Sequence, residues 1–214
     1  MAQTAERTLS PRRAELVAAA ARLFSERGYH GTSMKHLADS LGMLKGSLYA
    51  HIGSKEELLY DVVAEGAERF LTRAHAAAAL ESSASDRLEA FLVGHIETAI
   101  EHLDAATVFL NEWRYLSDDL RYDVQEKRDI YEGLVRGIVT DGISSGEFRS
   151  DADVAMTARL VLSAGNWVYA WYRPDGSLSS TEIGHRYTEL IVRGLKVEQT
   201  KNPADAGRYT EVAQ

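Results

Sequence analysis

A chain of 214 residues, 45% hydrophobic and 26% charged, can bury one large core or two modest ones. It has no cysteine, which excludes disulfides, thiolate nucleophiles and cysteine-ligated metals; no apolar run approaches the roughly 20 residues that cross a bilayer, and the first ten residues lack a secretory apolar stretch, so a cytoplasmic location is expected. The formal charge of −8 is unevenly divided, with 8 Lys/Arg against 6 Asp/Glu in residues 1–60 and 16 against 26 beyond, a pattern that hints at a nucleic-acid-facing half on an acidic body.

Prolines interrupt the chain only at Pro11, Pro174 and Pro203, long stretches carry a 3.6-residue apolar period, and no alternating strand pattern persists. The reading is all-α. Ser10 as N-cap and Pro11 at the first helical position start a helix whose apolar face is Leu16, Ala19, Ala20, Leu23 and Phe24, and Gly28 ends it. Thr32 or Ser33 caps a short second helix bearing Met34, Leu37, Ala38 and Leu41, which Gly42 stops. A third helix of one to two turns covers about Lys45–His51. Ser54 with Glu57 three residues on is a capping-box signature. It opens a long fourth helix with Leu58, Leu59, Val62, Val63, Phe70 and Leu71, running to the Ser82–Ser85 cluster. Further helices are expected at roughly 86–103, 105–117, 119–143, 152–172 and 180–196.

A helix, a glycine-containing turn and a second short helix form the arrangement of helix–turn–helix DNA readers. Ser33–Leu41 would be the supporting helix and Lys45–His51 the recognition helix, with the small Ala38 at their crossing. Lys45 can reach phosphate or guanine, Ser47 a base edge or phosphate, and the Tyr49 hydroxyl suits phosphate. Gly46 lets the backbone approach DNA, at a helix-propensity cost of about 1 kcal/mol. Lys55 and the amides after Ser54 would make a second phosphate site. The expected division is an N-terminal arm at 1–9, a DNA-binding domain at 10–53, a helical effector-binding and dimerisation domain at 54–198, and a polar tail at 199–214.

The set Ala18-Ala19-Ala20, Phe24, Gly28-Tyr29, Gly31-Thr32-Ser33-Met34, Leu37-Ala38, Gly42, Lys45-Gly46-Ser47-Leu48-Tyr49, His51 and Ser54-Lys55-Glu56-Glu57-Leu58, with its spacing intact, resembles the N-terminal domain of TetR-family transcriptional regulators. The resemblance implies an Ω-shaped homodimer of all-α subunits, bound to a palindromic double-stranded operator and released by a small-molecule effector. The DNA contacts it implies are Thr32, Ser33, Lys45, Gly46, Ser47, Tyr49, His51 and Lys55. Two positions depart from the family pattern: Leu44 stands where a Ser or Thr usually caps the recognition helix, and Ile52 where an aromatic usually follows the Tyr-x-His unit. A lost N-cap costs about 1 kcal/mol, so the recognition helix is expected to fray without DNA. The acidic body would suppress nonspecific binding, since affinity depends on phosphates neutralised locally.

Aromatic residues gather in the second half. Phe109 and Trp113, and likewise Trp167 and Trp171, stand at i,i+4 and share a helix face. Core or dimer packing explains such pairs, and so does the wall of an apolar ligand cavity between bundle helices. The candidate ligand set is Phe109, Asn111, Trp113, Arg114, Asn166, Trp167 and Trp171. The segments FLNEWRYL and NWVYAWYRPDG are similar to TetR-type repressors of fatty-acid and steroid degradation, which implies an acyl-CoA or lipid-like effector. Arg114, Arg121, Lys127, Arg128, Arg159 and Arg173 are cations available to an anionic coenzyme A. The family's dimer contact, built by its last two helices, falls here on Leu160, Val161, Ala164, Val168, Tyr187, Ile191 and Leu195. A C2 dimer would present its tips about 34–36 Å apart.

The rival reading is an all-α enzyme or a ligand-binding protein without a DNA role. The G-x-S-x-G at Gly142–Gly146 has no preceding strand, and the E-x-x-H of Glu182 and His185 has no second copy. His95 and His102 share a face without matching carboxylates. No catalytic residue, metal site, cofactor or membrane contact is expected.

Overall fold

Nine α-helices and one 3-10 turn account for most of residues 10–196, the part of the chain that this computed structural model describes. The expected arm at 1–9 and tail at 199–214 lie outside the described residues. The helices are α1 (Pro11–Gly31), α2 (Met34–Ser40), α3 (Lys45–Tyr49), α4 (Lys55–Ala78), α5 (Ala84–Glu101), α6 (Leu103–Asn111), α7 (Asp118–Ser144), α8 (Val154–Trp171) and α9 (Ser180–Leu195), with the 3-10 turn at Trp113–Tyr115. Extended backbone among the described residues pairs only at an isolated bridge between Phe148 and Lys196.

Local chemistry sets the boundaries. Ser10, Ser33, Ser54, Ser83, Asp153 and Ser179 each accept a hydrogen bond from an amide of the first turn they precede. Gly28 has φ 72° and breaks α1 into two segments, a backbone conformation that a side chain would strain. The Thr32 hydroxyl donates to the carbonyls of Leu23 and Gly28, both at 3.0 Å, and so stabilises that break. The single helix expected at 105–117 ends instead at Asn111. There the Glu112 carboxylate accepts from the Tyr29 amide of α1 at 2.7 Å, and Tyr115 stacks on Tyr29, so tertiary contacts shape the turn.

Two apolar cores are threaded by α4. The first joins Leu16, Leu23 and Phe24 of α1 with Leu37, Leu48, Ile52, and Leu58 and Val62 of α4. The second gathers Leu88, Phe91 and Leu92 of α5, Ile138 of α7, Val161 and Val168 of α8, and Ile183 and Leu195 of α9. The first core runs without a break across residue 53, so α1–α3 sit on α4 rather than beside it. Arg13 adds a polar tie: it donates to Asp61 at 2.6 Å, to Glu57 at 2.5 Å, and to the His51 carbonyl at 3.4 Å. Asp61 is buried, and removing one partner from a buried ion pair is far costlier than the pair's own net contribution.

Candidate DNA interface and effector cavity

Helix α3 is anchored by one fully buried residue, Leu48, with Ile52 just beyond its end. Everything else on it faces out: Lys45, Gly46, Ser47 and Tyr49 are exposed, as is His51. Ser33 is exposed too, although its hydroxyl also caps α2, accepting from the His36 amide at 3.1 Å. Leu44 is 80% exposed and supplies no side-chain cap to α3.

Two residues of the expected DNA-contacting set have other work. Thr32 is buried, and its hydroxyl is committed to the carbonyls at the α1 break. The Lys55 ammonium donates to the carbonyls of Tyr29 at 2.9 Å and Thr32 at 2.8 Å. It also lies 4.1 Å from the centre of the Tyr29 ring, and burial lowers its pKa. The Thr32 side chain thus secures the break within α1, and that of Lys55 fastens the start of α4 to the end of α1. Arg13 was not singled out from the sequence. Its signal is the acidic pair Glu57 and Asp61 at i,i+4 on α4, which only a fold can set against α1.

A cavity of about 260 Å³ opens between α4, α5, α6, α7 and α8. Its apolar walls include Phe70, Phe109, Trp113 and Leu162, and its polar groups include His95, Tyr131, Asn166 and Arg128. His95 is buried and its Nδ1 lies 2.8 Å from the Tyr131 hydroxyl, while among the described residues Nε2 has no partner in hydrogen-bond geometry. Burial depresses the His95 pKa to about 4 against the opposing pull of the Asn166 side chain, so the ring is neutral at pH 7. Its edge rests on Gly165, where an added Cβ would come within 2.5 Å of Cδ2. Arg128 lies over two rings, its guanidinium carbon 5.3 Å from the Phe109 centroid and 5.0 Å from that of Trp113. Among the described residues no acceptor takes a hydrogen bond from it, and burial lowers its pKa against the pull of Asp129. The two acids lining the cavity are already engaged, Asp129 with Gln125 at 2.7 Å and Glu132 with Arg136 at 2.5 Å.

The cavity wall continues into the DNA-facing head. Glu112, between wall residues Leu110 and Trp113, holds the Tyr29 amide. Tyr115 stacks on Tyr29 at 6.0 Å and meets His30 edge-on at 4.4 Å. The Ser117 amide donates to Glu56 at 2.6 Å, closing the link from the far side of the turn to α4.

Comparison with known proteins agrees with this geometry. The family described as bacterial regulatory proteins, tetR family, matches residues 16–62, and the tetracyclin repressor-like C-terminal domain matches 81–195. The chain belongs to the TetR family of transcriptional regulators. The HTH-type transcriptional repressor KstR2 of Mycolicibacterium smegmatis is 32% identical over 88% of this chain and 92% of its own length. The TetR regulator PfmR of Thermus thermophilus is 35% identical, with TM-score 0.78 over 85% of this chain and 99% of its own. AibR, solved with isovaleryl coenzyme A and operator DNA, is 26% identical, with TM-score 0.77 over 84% of this chain and 97% of its own.

The TetR body also carries an apolar outer face. Met156, Leu160, Trp167 and Trp171 of α8 and Leu190 of α9 are exposed. Of the expected ligand set, Phe109, Trp113 and Asn166 line the cavity. Trp167 and Trp171 share a face as their spacing requires, but it is this outer one, and Arg114 is exposed away from the cavity. Asn111 instead donates to the Tyr169 hydroxyl at 3.1 Å. Of the expected dimer set, Leu160 is exposed and Ala164 and Tyr187 are half-buried, whereas Val161, Val168, Ile191 and Leu195 are buried in the second core. An apolar stripe read from sequence has no inherent inside or outside, so spacing alone could not say which residues of α8 and α9 face the core and which face out.

Proposed function

We propose that this TetR-family chain is an effector-released repressor. It reads a palindromic operator as a homodimer through Lys45, Ser47, Tyr49 and His51, assisted by Ser33 and the Gly46 backbone. The two subunits meet through Leu160, Trp167 and Leu190 on the outer face of α8 and α9. The effector is an amphipathic anion, of which an acyl-coenzyme A thioester is the leading case. Arg128 carries this reading: its guanidinium lies over two rings at an apolar cavity and, among the described residues, has no acceptor, which leaves a cation available to an anionic ligand. AibR, solved with isovaleryl coenzyme A, supports the same ligand class. At about 260 Å³ the cavity is slightly smaller than ordinary drug-sized sites, which suits a short acyl chain or a single ring with the nucleotide left outside.

The test is a duplex selected by the protein from a random 30-base-pair pool, followed by a release assay with acetyl-, isovaleryl-, octanoyl- and palmitoyl-CoA. At least one ester should release the wild type. Arg128→Met should bind DNA normally and need about tenfold more of that ester, as loss of a charged hydrogen bond predicts. Release by no ester, or an unshifted response in Arg128→Met, would overturn the effector assignment.

A further inference from the structure

Leu44 is the most exposed large apolar side chain among the described residues, at 80%. It stands where α3 begins and is absent from the apolar cluster that Leu41, Met43 and Leu48 join. Its backbone already serves the helix, the carbonyl accepting from the amides of Ser47 at 3.0 Å and Leu48 at 3.2 Å. The side chain therefore has no structural duty, and it forgoes the cap that serine would supply. Lys45, Gly46 and Ser47, all exposed, follow it directly.

Resting on the reading of α3 as the helix that enters the groove, we infer that Leu44 recognises the C5-methyl group of one thymine in each operator half-site. Recognition helices present their N-terminal residues to base edges. Every other feature those edges offer in the major groove is a donor or an acceptor, and the thymine methyl is the apolar exception. Lys45 and Ser47 can choose among the polar edges, but neither can tell thymine from a base that merely lacks the methyl. An isobutyl group next to them can, because its contact area exists only when the methyl is there.

Uracil isolates that one feature, since it pairs as thymine does and lacks only the methyl. The selected duplex is resynthesised with deoxyuridine replacing thymidine, one symmetric pair of positions at a time, and titrated with the full-length protein. At one pair the wild type should bind about fourfold more weakly per half-site, or about fifteenfold for the dimer, as burial of one methyl predicts. Leu44→Ala should lose that sensitivity while remaining sensitive to salt. Leu44→Ser, which restores the cap and so guards against a folding artefact, should lose it as well. A wild type indifferent to every substitution, or a Leu44→Ala that keeps the full response, would overturn the methyl contact alone. A pool that yields no enriched duplex would instead overturn the DNA-reading assignment, and this contact with it.

Discussion

Lys45 and Lys55 are two lysines ten residues apart, and the fold gives them opposite fates. Lys45 projects from α3 into solvent, where a phosphate can meet it, while Lys55 donates to two carbonyls of the α1–α2 junction. The sequence offers no sign of the difference, because the acceptors lie 26 and 23 residues upstream and are backbone atoms that any residue would supply. Lys45, Ser47 and Tyr49 were legible because exposure on a five-residue helix follows from its having one anchor, Leu48. His95 was legible as an apolar-face residue but not as a neutral one. Its pKa of about 4 in the folded chain, against the ordinary 6.5, means the unfolded chain takes up the proton first. The stability it confers is therefore fully present above about pH 6.5 and is lost as pH falls toward 4. Between pH 6.5 and pH 5 the loss should be about 2 kcal/mol. Urea unfolding at fixed protein concentration checks this: His95→Gln should lack that portion of the acid slope, and parallel curves for the two proteins would refute it.

Among the elements, the segment from Asn111 to Ser117 joins the cavity to the head. It was read as plain helix because FLNEWRYL has helical periodicity. What interrupts it is Glu112, whose partner is an amide on α1, 83 residues away in sequence. Local propensity is a weak prior, and one charge-assisted hydrogen bond to a distant backbone group is enough to override it. Glu112→Ala removes a part-buried, charge-assisted hydrogen bond from the Tyr29 N–H, a loss of about 1.5 kcal/mol. Hydrogen exchange should then quicken at Tyr29 by at least about tenfold, while amides of α5 in the second core keep their protection. Equal exchange at Tyr29 in both proteins would remove the segment from any account of coupling. The serine N-caps at Ser10 and Ser54 were legible because they act within one turn, where sequence spacing and spatial distance coincide. Glu57, expected to close a capping box on Ser54, accepts instead from the Gly53 amide at 2.7 Å, and Gly28 breaks α1 without ending it.

For the whole molecule, helix count, order and the all-α class followed from periodicity and from a motif with intact spacing. The orientation of α8 and α9 did not, since a stripe of apolar residues fits a core as readily as a mate. The outer face predicts a specific assembly. Leu160→Glu or Trp167→Glu alters residues that are exposed in the subunit, so the helical fold should persist by circular dichroism while light scattering falls to the monomer mass. Operator affinity should drop by about a hundredfold or more, because the second half-site would no longer be reached intramolecularly. A dimer mass in both variants would exclude this face. Tyr29 bears on the evolution of such regulators: its amide is held by Glu112 and its carbonyl by Lys55. A residue mounted at both ends by neighbours outside the reading unit makes that unit poorly transferable. Grafting residues 10–53 onto a foreign body would carry the DNA-reading surface but leave both of its mounts behind, so new operator preferences are more easily reached by changing exposed residues of α3 than by exchanging heads.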